Sequence, residues 1–268
     1  MPLSRIAAVV YLHALRTWRY KYSFANSAIN MTLWIAIFIL GTLAFVPAEQ
    51  LPTVAPYLFW GIVSWQMISV TVMYVAGWTT WVLLVLGMVE EHMLHNTRTL
   101  HVLLGRMISI AAQLAVALPL TYAIVAFAAG GPFPLARDPL LVGYGLAAIT
   151  AMAFGYALVL AAASLRTSVP ASLLDMANFL LFVVGGVAVP VSRLPGPLRA
   201  IALAIPYSHA AEVVRYGAAG LEPLLPLRTE ILASGLLAAA LMAAGYAAFR
   251  LVEDVYVRRS GVRGVGRM

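Results

Sequence analysis

Few side chains in this sequence could do covalent, acid–base or metal chemistry. The densest group is EEHMLHNTRTLH, which sets Glu90 and Glu91 beside His92, His95 and His101. Histidines at such spacing can ligate zinc, but the chain has no cysteine to join them, and the stretch does not guarantee a three-histidine geometry. No metal or other cofactor is assigned. The only lysine, Lys21, lies in RYKYS, whereas a phosphate-gripping loop needs G-x-x-x-x-G-K-[ST]. A nucleotide-driven process would therefore have to borrow its ATPase from another polypeptide. The G-x-S-x-G elbow and the H-E-x-x-H zinc pattern are absent as well, so the chain is not read as an enzyme. Asp175 and Asn178 are spaced to share one helical face. An acid inside a membrane span is a functional candidate by default; snorkelling, capping or a bond to Arg166 explains Asp175 equally well. Gln66 and Gln113 are weaker polar candidates, and Ser69, Thr71 and Ser109 can bond to their own helices.

These residues sit in a chain that cannot be water-soluble throughout. Of its 268 residues, 63% are hydrophobic and 10% charged, against about 45–50% and about 25% in ordinary soluble domains. Crossing a bilayer takes about 20 apolar residues in a helix, because backbone groups must pair internally there. Six stretches qualify: 26–46, a second from Pro56 onward, 107–129, 140–165, 171–189 and 229–252. The second stays apolar as far as Glu90 and is expected to emerge between Trp78 and Leu86. The third and fourth, separated only by GGPFPLARDP, are expected to form an antiparallel pair. Glycine and alanine crowd the fourth and sixth, as in GYGLAAITAMAFGYA and LLAAALMAAGYAA, which suits close helix packing within the subunit or against a second copy.

The expected fold is therefore all-α and polytopic, one transmembrane domain over 1–268 with six membrane helices. Residues 1–25 read as an interfacial amphipathic helix, 26–252 as the six-span region and 253–268 as a basic tail. A cleaved signal peptide fits 1–25 poorly, since the basic region is long and the following apolar run extended. Asn30-Met-Thr32 matches a glycosylation pattern but falls inside a span. Six spans put both termini on one side. With that side cytoplasmic, basic residues divide 12 inside and 5 outside. Between the fifth and sixth spans, Pro190 to Arg228 alternates helix breakers with short apolar runs. Such a segment lies on or dips into the membrane under protein cover.

This order of elements resembles the membrane subunit of ABC exporters of the ABC-2 permease type. The resemblance rests on VPVSRLPGPLRAIALAIPYSHAAEVVRY at 189–216, where Pro190, Leu194-Pro195, Pro206-Tyr207 and Arg215 stand where that family carries an extracellular re-entrant motif. The connector after the second span is a partial match: Glu91, Thr99 and Leu100 fit, while Arg98 replaces the usual glycine and His101 the usual glutamate. The resemblance implies a surface at Glu90, Glu91, Arg98, Thr99, Leu100 and His101 that receives the motion of a cytoplasmic ATP-binding subunit. It further implies a second permease copy, membrane lipid around the pair, a place in the cell membrane and export of an amphiphile such as a drug, lipid or lipid-linked glycan. Nucleic acid is not an expected partner. A proton- or ion-coupled carrier, and more remotely a membrane enzyme acting on lipid, are the alternatives.

Overall fold

The structure is a computed structural model that describes residues 3–79, 98–133, 135–166, 176, 182, 185–186 and 189–257. Every regular element among the described residues is helical, and five helices are long and apolar enough to cross a membrane: Lys21–Leu43, Ala48–Gly77, Thr99–Ala128, Pro139–Leu165 and Leu227–Val255. The chain thus has an all-α, polytopic membrane-type architecture. Its surface agrees, with Phe127 91% exposed and Leu236 71% exposed, a distribution that lipid tolerates and water does not.

Helix α1 (Leu3–Arg19) ends on Arg16 and Arg19, cations that suit the negative end of a helix dipole. Tyr20 interrupts the helix, and α2 (Lys21–Leu43) follows at once. Ala28, Met31, Thr32, Ile35, Ala36, Ile39 and Leu43 of α2 are buried at helical spacing, while Leu33, Trp34 and Ile37 on other faces are exposed. Helix α3 (Leu51–Val72) is buried along most of its length and passes into a π-helical turn at Met73–Gly77. Such a turn disturbs the backbone ladder; the Tyr74 carbonyl accepts a bond of 3.1 Å from Arg106 Nε. The expected emergence of this span begins at Trp78, beyond which residues 80–97 lie outside the described set.

Helix α4 (Thr99–Ala128) starts eight residues before the expected Met107, so the run from Thr99 to Arg106 is already helix. Helix α5 (Pro139–Arg166) matches the fourth expected span, and α8 (Leu227–Leu251), prolonged by a π turn at Val252–Val257, matches the sixth. The expected fifth span, with Asp175 and Asn178, falls almost wholly outside the described residues. Short helices α6 (Gly196–Ala204) and α7 (Pro206–Ala219) occupy the interval before α8.

One expectation about packing is corrected. The helices α4 and α5 follow one another across residues 129–138, yet among the described residues neither is the other's main packing partner. Instead α4 lies on α1 and α2, and α5 packs on α8, α7 and α3. The reason is residue size. A Cβ built on Gly245 of α8 would meet the Gly155 backbone of α5, with its carbonyl carbon at 2.8 Å and its Cα at 2.9 Å. Where no side chain intervenes, backbones approach closely, and this is how helices associate in lipid.

Candidate functional site

The interval Pro190 to Arg228 folds by its prolines. Pro190 and Pro195 adopt extended conformations ahead of a 3-10 turn (Val191–Arg193) and α6 respectively. Ile205 is held extended before Pro206, which opens α7 where a missing N–H costs nothing. Gly220 closes α7 in the left-handed region, φ 69°. The segment meets the α4–α5 turn, since Asp138 N–H donates to the Gly217 carbonyl at 2.7 Å and Arg137 N–H to that of Ala218 at 3.1 Å. Both structures therefore lie at one end of the bundle.

Within this segment a buried ion pair anchors the chain. Arg215 is 1% exposed, and its Nη1 donates to Glu212 Oε1 at 2.7 Å. Burial pushes the guanidinium's pKa down, and the neighbouring Glu212 carboxylate opposes that shift. Its Nη2 donates to the Gly186 carbonyl, while Glu212 Oε1 accepts the Val191 N–H at 3.1 Å. Ser208 Oγ adds a donation to the Gly185 carbonyl. Gly186 itself sits at φ 63°, where a Cβ would meet the Val191 side chain at 2.5 Å, so glycine alone fits. One turn of α7 thereby holds the strand of chain entering the 3-10 turn.

Two further contacts tie the segment to its neighbours. Arg193 Nη1 donates to Tyr57 Oη at 3.1 Å and its guanidinium lies 5.5 Å from that ring, joining the segment to α3. His209 Nδ1 stands 2.7 Å from Glu230 Oε2 on α8, and its Nε2 is 3.1 Å from the Leu203 carbonyl of α6. Both partners accept only, so the doubly protonated ring satisfies both. The bond to Glu230 accordingly raises the histidine's pKa above its ordinary value, against the opposing effect of burial. Tyr207 is buried in the helical core, its hydroxyl has no partner among the described residues, and burial pushes its pKa up. Of the residues expected from sequence, Pro190, Leu194, Pro195, Pro206, Tyr207 and Arg215 all fall in this one unit. The reading missed Glu212, His209, Glu230 and Tyr57; an E-x-x-R spacing in an otherwise apolar run was the available signal.

At the opposite end, the expected connector residues divide. Thr99 and Leu100 are buried, and the Thr99 N–H donates to Glu253 Oε1 of α8 at 2.9 Å. Glu253 is itself buried at 1% exposure, so it caps α4 from a distant helix. Arg98 and His101 line an apolar groove of about 620 Å³ shared with Phe154, Met242, Tyr246 and Arg250. Arg250 also pairs with Asp254 at 2.9 Å. Glu90, Glu91, His92 and His95 lie outside the described residues, and no metal-ligating cluster occurs among the described ones. Among the described residues no constellation of nucleophile, base and orienting group is assembled; the side chains form a latched segment at one end of the bundle and a capped helix start at the other. A scan against protein-family models and a search of curated proteins return no match to the chain.

Proposed function

We propose that the chain is the membrane-spanning permease subunit of an ATP-driven exporter resembling the ABC-2 type, moving an amphiphile across the cell membrane while a separate cytoplasmic subunit hydrolyses ATP. The observation that carries this reading is the latched unit between Pro190 and Gly220, which sits at the end of the bundle opposite the α4 start and the α8 end. A stiff cap at one end and a connector at the other suit alternating access driven from the connector side. In this reading the energy comes from a partner, in keeping with a sequence that carries no phosphate-gripping loop.

In this reading both termini and the connector are cytoplasmic. Support comes from the basic residues Arg16, Arg19, Lys21, Arg98, Arg106 and Arg250, which share that end. Glu90, Glu91, Arg98 and His101 form the surface that the ATP-binding subunit engages, with Thr99 and Leu100 transmitting its motion to α8 through Glu253. A second permease copy completes the pathway. The carrier alternative draws less support, since Glu230 and Glu253 lie near the ends of α8, Glu212 lies in the short helix α7 outside the long apolar helices, and each bonds to a backbone N–H or to His209.

The test is to purify the chain with a candidate ATP-binding subunit, reconstitute both in lipid and measure ATP hydrolysis across a panel of amphiphiles. Stimulated hydrolysis that Glu91→Ala uncouples is the expected result. Failure to form a stable complex, with hydrolysis unchanged, would sink the pairing.

A further inference from the structure

A cleft runs between α1, the start of α2 and the start of α4, and its charges are unbalanced. Arg106 of α4 is partly buried there, its guanidinium 4.1 Å from the Trp78 ring and 5.2 Å from that of Tyr74. Its Nε is occupied by the Tyr74 carbonyl, but no carboxylate pairs with it among the described residues. Arg16 and Arg19, from the last turn of α1, line the same region and have no carboxylate partner among the described residues either. A partly buried cation is stable only when compensated, and the aromatic faces supply only part of that compensation. Three guanidinium groups therefore converge on a space with no counter-charge among the described residues.

The shape of the space indicates what fills it. Two cavities, of about 220 and 530 Å³, share Arg16, Tyr20 and Ser23. The smaller is polar and reaches Arg106, Ser27 and Gln113; the larger runs along Leu12 and Leu15. Guanidinium forks match phosphate oxygens in bidentate geometry, and the hydroxyls of Tyr20, Ser23 and Ser27 add donors. The apolar side chains Leu12, Leu15 and Trp18 are exposed beside these cations, the arrangement of a helix lying at a membrane surface.

We propose that this cleft is a binding site for an anionic phospholipid, with the headgroup phosphate among Arg16, Arg19 and Arg106 and an acyl chain along Leu12 and Leu15. The site uses α1 as a lid over the lipid and ties its orientation to the start of α4. It rests on the membrane-type architecture and is independent of coupling to ATP.

Native mass spectrometry of the full chain in detergent tests it, with phosphatidylglycerol, phosphatidylcholine and inorganic phosphate as separate probes. Phosphatidylglycerol is expected to bind about tenfold more tightly than phosphatidylcholine, and Arg16→Gln/Arg19→Gln to lower its affinity by about tenfold or more, from roughly 1 kcal/mol per basic residue at a membrane surface. Both arginines are exposed, so that variant keeps the core; Arg106→Gln should give a similar loss. Arg228→Gln, which removes an exposed charge at the other end of the molecule, should leave binding unchanged. Equal affinity for the two lipids, equal losses from Arg228→Gln, or inorganic phosphate binding as tightly as phosphatidylglycerol would each overturn the proposal. Loss of ATPase coupling with lipid selectivity retained would count against the exporter reading alone.

Discussion

Replacing Arg215 by methionine removes the guanidinium and leaves Glu212, 4% exposed, with the Val191 N–H as its one hydrogen-bond donor among the described residues. It also strips the Gly186 carbonyl of its donor. Breaking a buried pair by removing one partner costs about 3–5 kcal/mol, and Glu212→Met, which takes the carboxylate from the buried arginine, should cost a similar amount. In Glu212→Met/Arg215→Met no charge is left buried. What remains unpaired is one N–H and one carbonyl, each worth about 1–3 kcal/mol. The double variant should therefore lose about 2–6 kcal/mol, whereas additive singles would lose about 6–10 kcal/mol. Equilibrium unfolding in mixed micelles, followed by tryptophan fluorescence, measures all three. Losses that add to within about 0.5 kcal/mol, or an Arg215→Met loss below about 1 kcal/mol, would refute the claim that this pair latches the segment.

Three other outcomes follow from the geometry. Gly245→Ala drives a methyl into the Gly155 backbone and should destabilise by about 1–3 kcal/mol or more, whereas Gly143→Ala, which meets nothing within 4 Å, should gain about 0.5–1 kcal/mol; the same micelle unfolding separates them. Because the folded pKa of His209 is raised above the unfolded value of about 6.5, its contribution is fully present below that value and lost as pH rises through the folded pKa. A pH series of unfolding midpoints should show that decline, and His209→Gln should remove it. Glu253→Leu uncaps α4 at a typical cost of about 1 kcal/mol and should speed hydrogen exchange at the Thr99 amide, while Glu253→Gln, which keeps an acceptor oxygen, should change exchange much less.

Five of the six expected spans and the breaks around α6 and α7 were legible in the sequence because they follow from local chemistry. Apolar runs longer than about 20 residues are self-evident, and each proline from 190 to 206 marks a place where a helix cannot continue backward. The start of α4 was not legible. Arg98 is not a capping residue, and the acceptor for Thr99 comes from Glu253, 154 residues away. Nor was the packing of α4: a short turn promises adjacency, but the Gly155–Gly245 contact lets α8 take the face of α5 that the turn alone would have given to α4. Arg215 was identified by resemblance while Glu212, three residues earlier, was passed over. In an apolar run, opposite charges at that spacing are the local trace of a buried pair.

The two ends of the bundle differ in a way that composition alone conceals. Around α6 and α7, Arg193, Arg199 and Arg215 each donate to an acceptor of the protein, and His209 pairs with Glu230. At the end that holds α1 and the start of α4, Arg16, Arg19 and Arg106 converge with no carboxylate partner among the described residues. Where buried charges are held by acceptors and donors of the protein itself, the segment is tied to its neighbours and can move as one unit. An end with surplus cations gains stability from whatever anion it meets. The net charge of +7 is therefore unevenly compensated among the described residues, and the end with the surplus arginines is the one on which the proposed lipid site stands.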